Sequence, residues 1–576
     1  MDIASFSLIV AGSGGAGAIS TGAMLLEAAG RIGWYGYMTR SVGAQIRGGE
    51  AVGMVRFSRE PIVAQSDNFQ VLLALDWQNL GKYAAEFPLS PSSLIIGDPE
   101  QGEVPGELLA SGARCGQIAM KALAQAIPAG RPNMVALGIL GALAGLPAES
   151  IDAVLLKTMG HKGDKALAAS RAAIQAGWEA AGGLPVLPRL AVPDRKPEGG
   201  RWLMTGNEAA GYGAVKGGIR YVAAYPITPA TEVLEWMAPA LDKIGGTLVQ
   251  VEDELAAINQ IIGASYGGVP SLTATAGPGL ALMTESLGLA VASETPIVVV
   301  DVMRGGPSTG IPAKSEQSDL NIALYGLHGD APHLVVAPNS VVDCMFTTQW
   351  AVHLAETLQT VALVLSDQAL GQARVAGDRP AEVVFPTRRE VAAPVTGSGK
   401  YQRYAVTPSG VSPMAVPGTA GCQYTADGLE HNPFGTPSSQ ASDHQAQLDK
   451  RQRKLTQYDY GNAWADLEGE GDIAILTWGS CTGAAREAIG RLRATGLKVR
   501  LLSLRLLFPV QPEKFAAALQ GVKRLLIVEQ THSGQFMRYL RAFYDLPCPV
   551  QTLNRPGPLP IRPNEIEAQL AAWSST

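Results

Sequence analysis

Apolar and polar positions along the chain fall into short blocks that predict strands and helices in alternation. Residues 7–11 form an apolar run of strand length, followed by the turn Gly12-Ser13-Gly14-Gly15-Ala16-Gly17 and an apolar helix through Met24, Leu25 and Leu26. A second strand is predicted near 34–38. Residues 134–146 are uncharged and apolar, too short to span a bilayer, and stopped by Pro147, which predicts a buried helix. Helices follow at 152–156 and in the Ala-rich run 165–181, with His161 in the loop between them. Residues 192–200 are polar, with Pro and Gly at the ends, and read as a linker. Beyond it, strand-like runs at 221–224, 248–251, 271–275, 297–300, 334–337 and 361–365 are separated by helix-length segments, the rhythm of a parallel sheet covered on both faces. The rhythm stops at 373–461, which is rich in Pro, Gly, Ser, Gln and charge; a loop of that length is either functional or disordered. Within it Lys450-Arg451-Gln452-Arg453-Lys454 reads as a solvated helix face. The rhythm resumes at 472–480, with a helix at 484–492 and strands at 498–502 and 524–530. The fold class predicted is α/β: three α/β domains with mostly parallel sheets, at 1–191, 201–372 and 462–576, with the linker and the irregular segment between them.

Composition narrows the function. With 576 residues the chain needs several cores, and 47% hydrophobic with 17% charged residues describes ordinary globular protein. A formal net charge of −6, without a Lys/Arg run that reverses it, argues against nucleic acid as a partner. The start lacks a basic signal-peptide region, so a cytoplasmic protein with no membrane association is expected. The five cysteines, Cys115, Cys344, Cys422, Cys481 and Cys548, include no Cys-x-x-Cys pair, so neither a structural zinc nor an iron–sulfur cluster is expected on this chain, and no metal ligand is assigned.

Candidate chemistry gathers where predicted strands meet turns. Gly12 to Gly17 has the Gly-x-Gly-x-x-Gly spacing that lets backbone amides approach a phosphate at a helix N-terminus. A dinucleotide site calls for an acid at the end of the next strand, but that strand ends in Thr39-Arg40, which counts against NAD and leaves a packing turn as the alternative. Arg47, between Ile46 and Gly48-Gly49, could reach an anion at the same sheet edge or be a solvated turn residue. In the second domain the strand ends carry Tyr225-Pro226-Ile227-Thr228-Pro229, Val251-Glu252-Asp253-Glu254, Thr275-Ala276-Gly277-Pro278-Gly279 and Arg304-Gly305-Gly306-Pro307-Ser308-Thr309-Gly310. Ligands of open α/β sheets bind at such strand ends. The acids at 252–254 also suit a helix N-terminus without any chemistry, Thr228 a turn cap, and Arg304 a loop salt bridge.

Taken together, the Tyr225–Pro229 motif, Glu254, and the Arg304 run with Lys314 and Glu316-Gln317 resemble the alpha subunit of 2-oxoacid:ferredoxin oxidoreductases, most of all the 2-oxoglutarate type. The first domain resembles that family's gamma subunit, fused ahead of alpha. The resemblance implies thiamine diphosphate chemistry, with 201–372 as the pyrimidine-binding domain and 462–576 similar to a transketolase C-terminal domain. It implies Glu254 as the buried carboxylate that hydrogen-bonds the aminopyrimidine and promotes loss of the thiazolium proton, with Tyr225, Ile227, Thr275 and Gly277 around the cofactor. Thr228 and Arg304 are expected to hold the reacting end of the 2-oxo acid, and Lys314, Arg403 or His431 its distal carboxylate, since a buried unpaired carboxylate is costly. Gly14, Gly15 and Arg47 are expected to contact coenzyme A. The Gly-Asp-Gly and Asn pattern that holds Mg²⁺ and the diphosphate is missing from this sequence, as are cluster cysteines. Both are expected on a beta subunit, with ferredoxin as electron acceptor and a dimer of alpha–beta pairs as the assembly. The competing readings are the same chemistry on branched-chain 2-oxo acids, a non-catalytic nucleotide-binding assembly subunit, and a free-standing NAD(P) dehydrogenase.

Overall fold

The computed structural model describes residues 3–43, 49–78, 80–193 and 200–574. The chain divides into two compact units: Met1–Thr205 with Gln372–Ala381 and Ile561–Glu565, and Gly206–Gly371 with Glu382–Pro560 and Ile566–Thr576.

The first unit is built on an eight-stranded sheet in the order Arg114–Gln117, Leu94–Gly97, Val71–Ala74, Ser5–Ser13, Glu50–Ser58, Tyr35–Val42, Arg374–Gly377, Trp202–Thr205. One half is parallel. From Ser5–Ser13 onward the pairing is antiparallel, and Ser5–Ser13 pairs along its whole length with Glu50–Ser58. Apolar side chains leave both faces: Leu8 and Val10 pack under the helices Ala18–Arg31 and Pro132–Ala144, while Ile9 and Ala11 pack on the opposite side with Phe69 and Trp77. The run predicted as a buried helix is the helix Pro132–Ala144, buried along most of its length. The last two strands come from chain assigned by sequence to the second domain and to the irregular segment. Both are four residues long; Arg374–Gly377 pairs with Tyr35–Val42 on one side and with Trp202–Thr205 on the other.

The second unit holds two sheets. The larger has the order Leu506–Phe508, Leu334–Val336, Val361–Asp367, Ile297–Met303, Ser271–Thr275, Tyr221–Ala224, Thr247–Gln250, parallel except at Leu506–Phe508. Its central strands read as unbroken apolar runs because helices cover both faces; every residue of Ile297–Met303 and Val361–Asp367 is buried. The smaller sheet has five strands in the order Ala465–Glu468, Val499–Leu504, Ile473–Trp478, Arg524–Glu529, Val550–Asn554. Among the described residues no helix is long and apolar enough to cross a membrane.

The irregular segment is ordered by buried charge, which corrects the reading of 450–454 as a solvated face. The helix Ala441–Thr456 turns Lys450 and Lys454 inward, 0% and 2% exposed, onto the carboxylate of Glu294, itself fully buried, at 2.7 and 2.9 Å. Lys450 also donates to Ser412 Oγ and Lys454 to the Gln359 carbonyl, so the ammonium groups find acceptors where water is absent. Arg403 donates to the carbonyls of Ser293, Glu294 and Ser412. Arg389, paired with Glu356 at 2.8 Å, donates to the carbonyl and hydroxyl of Ser265. Ser265 lies in the last turn of the helix Glu254–Tyr266, and Ser293 caps the helix Gly277–Ala292. Two arginines of the segment therefore sit on the negative C-terminal ends of these two helices, where a cation is favoured.

Candidate active site

Four adjacent parallel strands, Thr247–Gln250, Tyr221–Ala224, Ser271–Thr275 and Ile297–Met303, end on the same edge of the larger sheet. They deliver in turn Glu254, the loop 225–229, the start of the helix Gly277–Ala292, and Arg304. Residues far apart in sequence thus meet at one edge because a parallel sheet turns all its loops after the strand C-termini the same way.

Glu254 is the first residue of its helix. Asp253 is the N-cap, its Oδ1 accepting from the Ala256 amide at 2.7 Å, while Glu252 is exposed; the two flanking acids have the ordinary helix-start role. Glu254 differs from them. It is 7% exposed, and among the described residues no group donates a hydrogen bond to its carboxylate. Gly279 lies against it: a Cβ there would come within 2.0 Å of Thr275 Oγ1 and 2.7 Å of Glu254 Oε1, so only glycine lets the first turn of the next helix close over these side chains. Thr275 is fully buried.

Tyr225 and Thr228 are exposed and Ile227 is half-buried against the core. Their loop is held from below by Asn207, which donates to the Pro229 carbonyl at 2.9 Å, and from the side by Arg304, whose Nη1 donates to the Thr228 carbonyl at 2.5 Å. Arg304 is 7% exposed, with its Nε unpartnered; burial lowers its pKa, opposed by the nearby Asp319 carboxylate. Lys314, half-buried, lies on the loop that follows, which folds back so that the Gly305 amide donates to the Lys314 carbonyl at 3.0 Å. Gln317 pins that loop to the smaller sheet: its Nε2 donates to the Trp478 carbonyl and its Oε1 accepts from the Gln530 amide, both at 2.8 Å.

The structure does not bring Arg403 or His431 to this edge. Arg403 is fully buried on carbonyl acceptors in the charge cluster, and His431, 1% exposed, stacks on Tyr404 at 4.8 Å and lies 3.1 Å from Asp427. Neither is placed to meet a distal carboxylate, because the segment carrying them braces the far ends of the site helices.

Two further acids went unread in the sequence. Asp301, on the strand that ends in Arg304, and Asp319, at the N-cap of the helix Leu320–Tyr325, face one another under the Gly277 turn. Asp319 fills the room that Gly277 leaves, since a Cβ on Gly277 would lie 2.6 Å from its Oδ1. Burial and their mutual repulsion push the Asp301 carboxyl well above the ordinary range, and burial raises Asp319 to about 6. A signal existed in Asp301, a charge inside an otherwise apolar strand.

In the first unit, the turn after Ser5–Ser13 places Gly15 and Gly17 at φ 95° and 92°, and Gly14 donates to the Gly49 carbonyl at 2.6 Å. The turn is also tied to Asp76, whose Oδ2 accepts from both the amide and the hydroxyl of Ser13 at 2.8 Å. Arg47 lies outside the described residues. Among the described residues no group of His, Cys, Asp and Glu is arranged to hold a metal ion.

Comparison with known proteins identifies the family. Residues 212–450 match the family model described as pyruvate flavodoxin/ferredoxin oxidoreductase, thiamine diphosphate-binding, residues 7–180 that of pyruvate ferredoxin/flavodoxin oxidoreductase, and residues 471–566 that of pyruvate:ferredoxin oxidoreductase core domain II. The chain is 33% identical to the 2-oxoglutarate synthase subunit KorA of Methanothermobacter marburgensis over 371 residues, 63% of this chain and 97% of that protein. It is 34% identical to the 2-oxoglutarate oxidoreductase subunit KorA of Mycobacterium tuberculosis over 434 residues, 72% of this chain and 64% of that protein. Among solved structures, the 2-oxoglutarate:ferredoxin oxidoreductase from Magnetococcus marinus, with 2-oxoglutarate, coenzyme A and succinyl-CoA bound, superposes with a TM-score of 0.90 at 37% identity, covering 99% of this chain and 100% of that one. The chain therefore belongs to the 2-oxoacid:ferredoxin oxidoreductases and resembles their 2-oxoglutarate type.

Proposed function

We propose that this chain is the subunit of a coenzyme A-acylating oxidoreductase that binds the pyrimidine end of thiamine diphosphate and converts 2-oxoglutarate, coenzyme A and oxidised ferredoxin to succinyl-CoA, CO2 and reduced ferredoxin. The observation that carries the reading is Glu254: a nearly buried carboxylate without a donor, at the edge where four parallel strands end. A carboxyl group so placed has no partner from its own chain, and an aminopyrimidine ring nitrogen, with which it can share a proton, is a partner of the right chemistry. Tyr225, Ile227, Thr275 and Gly277 surround the same edge.

When bound, thiamine diphosphate supplies the nucleophilic carbon and the electron sink for decarboxylation of a 2-oxo acid. The residues of this chain do the rest. Glu254 shares a proton with the ring nitrogen, donating to it while the ring is neutral and accepting from it once the ring is protonated, with its low exposure limiting competition from water. Arg304, already directed at the 225–229 loop, offers a bidentate fork to the C1 carboxylate before it leaves as CO2. The Thr228 hydroxyl, exposed beside it, is within the same reach of the reacting end. Lys314 is assigned to the distal carboxylate. The diphosphate and its Mg²⁺, and the [4Fe-4S] cluster that carries electrons to ferredoxin, are assigned to a beta subunit, and the glycine turn at Gly14 and Gly15 with Arg47 to coenzyme A.

The test is dye reduction by the chain co-purified with its partner, dependent on coenzyme A, with 2-oxoglutarate, pyruvate and 2-oxoisovalerate in parallel. Reduction led by 2-oxoglutarate is expected. Faster turnover of 2-oxoisovalerate would move the assignment to branched-chain acids, and no coenzyme A-dependent reduction with any of them would refute the reading.

A further inference from the structure

Arg304 donates through Nη1 to the Thr228 carbonyl while its Nε has no partner, so its aim depends on where its backbone is held. Ser318 Oγ donates to the Arg304 carbonyl at 2.7 Å. The backbone of Arg304 is therefore as steady as Ser318, and what steadies Ser318 is the smaller sheet. In that sheet the chain runs from Ile473–Trp478 to Val499–Leu504 on one side, then crosses back to Arg524–Glu529 on the other. The crevice outside the C-terminal ends of two such strands is where an open α/β sheet takes its ligand. Here the buried side chain of Gln317 lies across both strand ends, on the Trp478 carbonyl and the Gln530 amide, and its own amide donates to the Gln530 carbonyl at 3.0 Å. Gly479 leaves it room, since a Cβ there would lie 2.7 Å from Gln317 Nε2.

Two more strand ends of the smaller sheet reach the same loop. After Arg524–Glu529, Gly534 at φ 68° turns the chain into the helix Gln535–Phe543. That helix start is fixed in turn: the Gln535 amide donates to Thr531 Oγ1 at 3.2 Å, and the Phe536 and Met537 amides donate to the buried Glu529 carboxylate at 2.9 Å. The Gln535 side chain then spans the loop, its Oε1 accepting from the Asn321 amide at 3.0 Å and its Nε2 donating to the Ser318 carbonyl at 2.9 Å. After Val550–Asn554, the Gly557 amide donates to Glu316 Oε2 at 3.1 Å, and a Cβ on Gly557 would lie 2.1 Å from the Ser315 carbonyl.

We propose that the ligand crevice of the smaller sheet is filled by this loop, and that Gln535 is a positioning residue for the substrate: through Ser318 it fixes the backbone of Arg304 and so the aim of the guanidinium at the C1 carboxylate of the 2-oxo acid. This rests on the assignment of Arg304 made above. The two ends of the Gln535 amide have separate tasks. Its oxygen holds the start of the helix Leu320–Tyr325, and its NH2 group passes the hold on to Arg304. Gln535→Glu keeps the first contact and sets an oxygen against the Ser318 carbonyl in place of the second.

The experiment compares Gln535→Ala, Gln535→Glu, Ser318→Ala and the Gln535→Ala/Ser318→Ala double variant in the co-purified complex, using whichever 2-oxo acid it turns over. Each single variant is expected to lose about tenfold in kcat/KM, mainly through KM, as misplacement of a binding group does. The two contacts act in series, so the double variant should lose no more than the worse single one. Losses that multiply, or parent kinetics in Gln535→Glu, would overturn the proposal. Amide hydrogen exchange in the complex gives an answer that does not depend on turnover. The Gly305 and Ile311 amides, bonded within the loop, should exchange about tenfold faster in Gln535→Ala and Ser318→Ala, with the strands of the larger sheet unchanged. Such a local change supports the clamp even if no 2-oxo acid is turned over. Exchange at the parent rate refutes it even if the reaction assignment stands, and faster exchange throughout both sheets refutes it by making Gln535 a residue of the fold alone.

Discussion

Glu294→Gln is the perturbation on which the brace behind the active site can be judged. The substitution keeps the shape of a fully buried side chain and removes the charge that faces Lys450 at 2.7 Å and Lys454 at 2.9 Å, with Arg403 beside them. At an effective dielectric of about 20, each contact is worth roughly 6 kcal/mol of gross attraction. The net loss is smaller, because a stranded lysine can shed its proton at roughly 4.6 kcal/mol at pH 7 from a reference pKa of about 10.4. Burial has already lowered Lys450 to about 8, which makes that escape easier. The expected loss is about 3–5 kcal/mol, the range for breaking a buried pair from one side. For a second unit of roughly 350 residues this lowers Tm by about 4–7 °C. Thermal unfolding followed by circular dichroism at pH 7 and pH 9 is the assay. The deficit should shrink at the higher pH, where both lysines are more readily neutral. In the parent protein the lysines and Arg403 hold the Glu294 carboxyl below the usual range, against the burial that alone would raise it. Its contribution is therefore complete above the unfolded carboxylate pKa and fades as pH falls below it. A Tm within about 1 °C of the parent at pH 7, or a deficit that grows with pH, would refute the reasoning.

Other substitutions address the site itself. Gly279→Ala drives a methyl into Thr275 and Glu254, and overpacking of about 1–3 kcal/mol should appear as roughly 10–100-fold weaker thiamine diphosphate binding in a fluorescence titration, with the fold retained; unchanged affinity would remove Glu254 and Thr275 from the cofactor's surroundings. Lys314→Ala should raise KM for 2-oxoglutarate by about tenfold or more while leaving pyruvate nearly unaffected, as loss of a charge-assisted contact does; equal loss for both substrates would end its assignment to the distal carboxylate.

The strand ends were legible because the larger sheet is parallel and buried on both faces. Apolar runs at 221–224 and 271–275 coincide with the observed strands, and the turns that follow them carry the residues that meet. What stayed hidden depends on partners remote in sequence. Lys450 and Lys454 look like any charged helix face until Glu294, 156 and 160 residues away, is folded against them. Arg403 looks like a free cation for the same reason. Trp202–Thr205 and Arg374–Gly377 are too short to show a pattern and gain their identity only by pairing, Arg374–Gly377 with Tyr35–Val42 and Trp202–Thr205 with Arg374–Gly377. Asp319 carries no signal of its own in the sequence; its place is set by Gly277, whose missing side chain makes room for the carboxyl.

The central claim is that Glu254 promotes loss of the cofactor's reactive proton. It is tested most directly by deuterium exchange at C2 of thiamine diphosphate in the co-purified complex, comparing the parent with Glu254→Gln. The account predicts exchange about 10²–10⁴-fold slower with an unchanged Tm; exchange at the parent rate in a folded variant would contradict it.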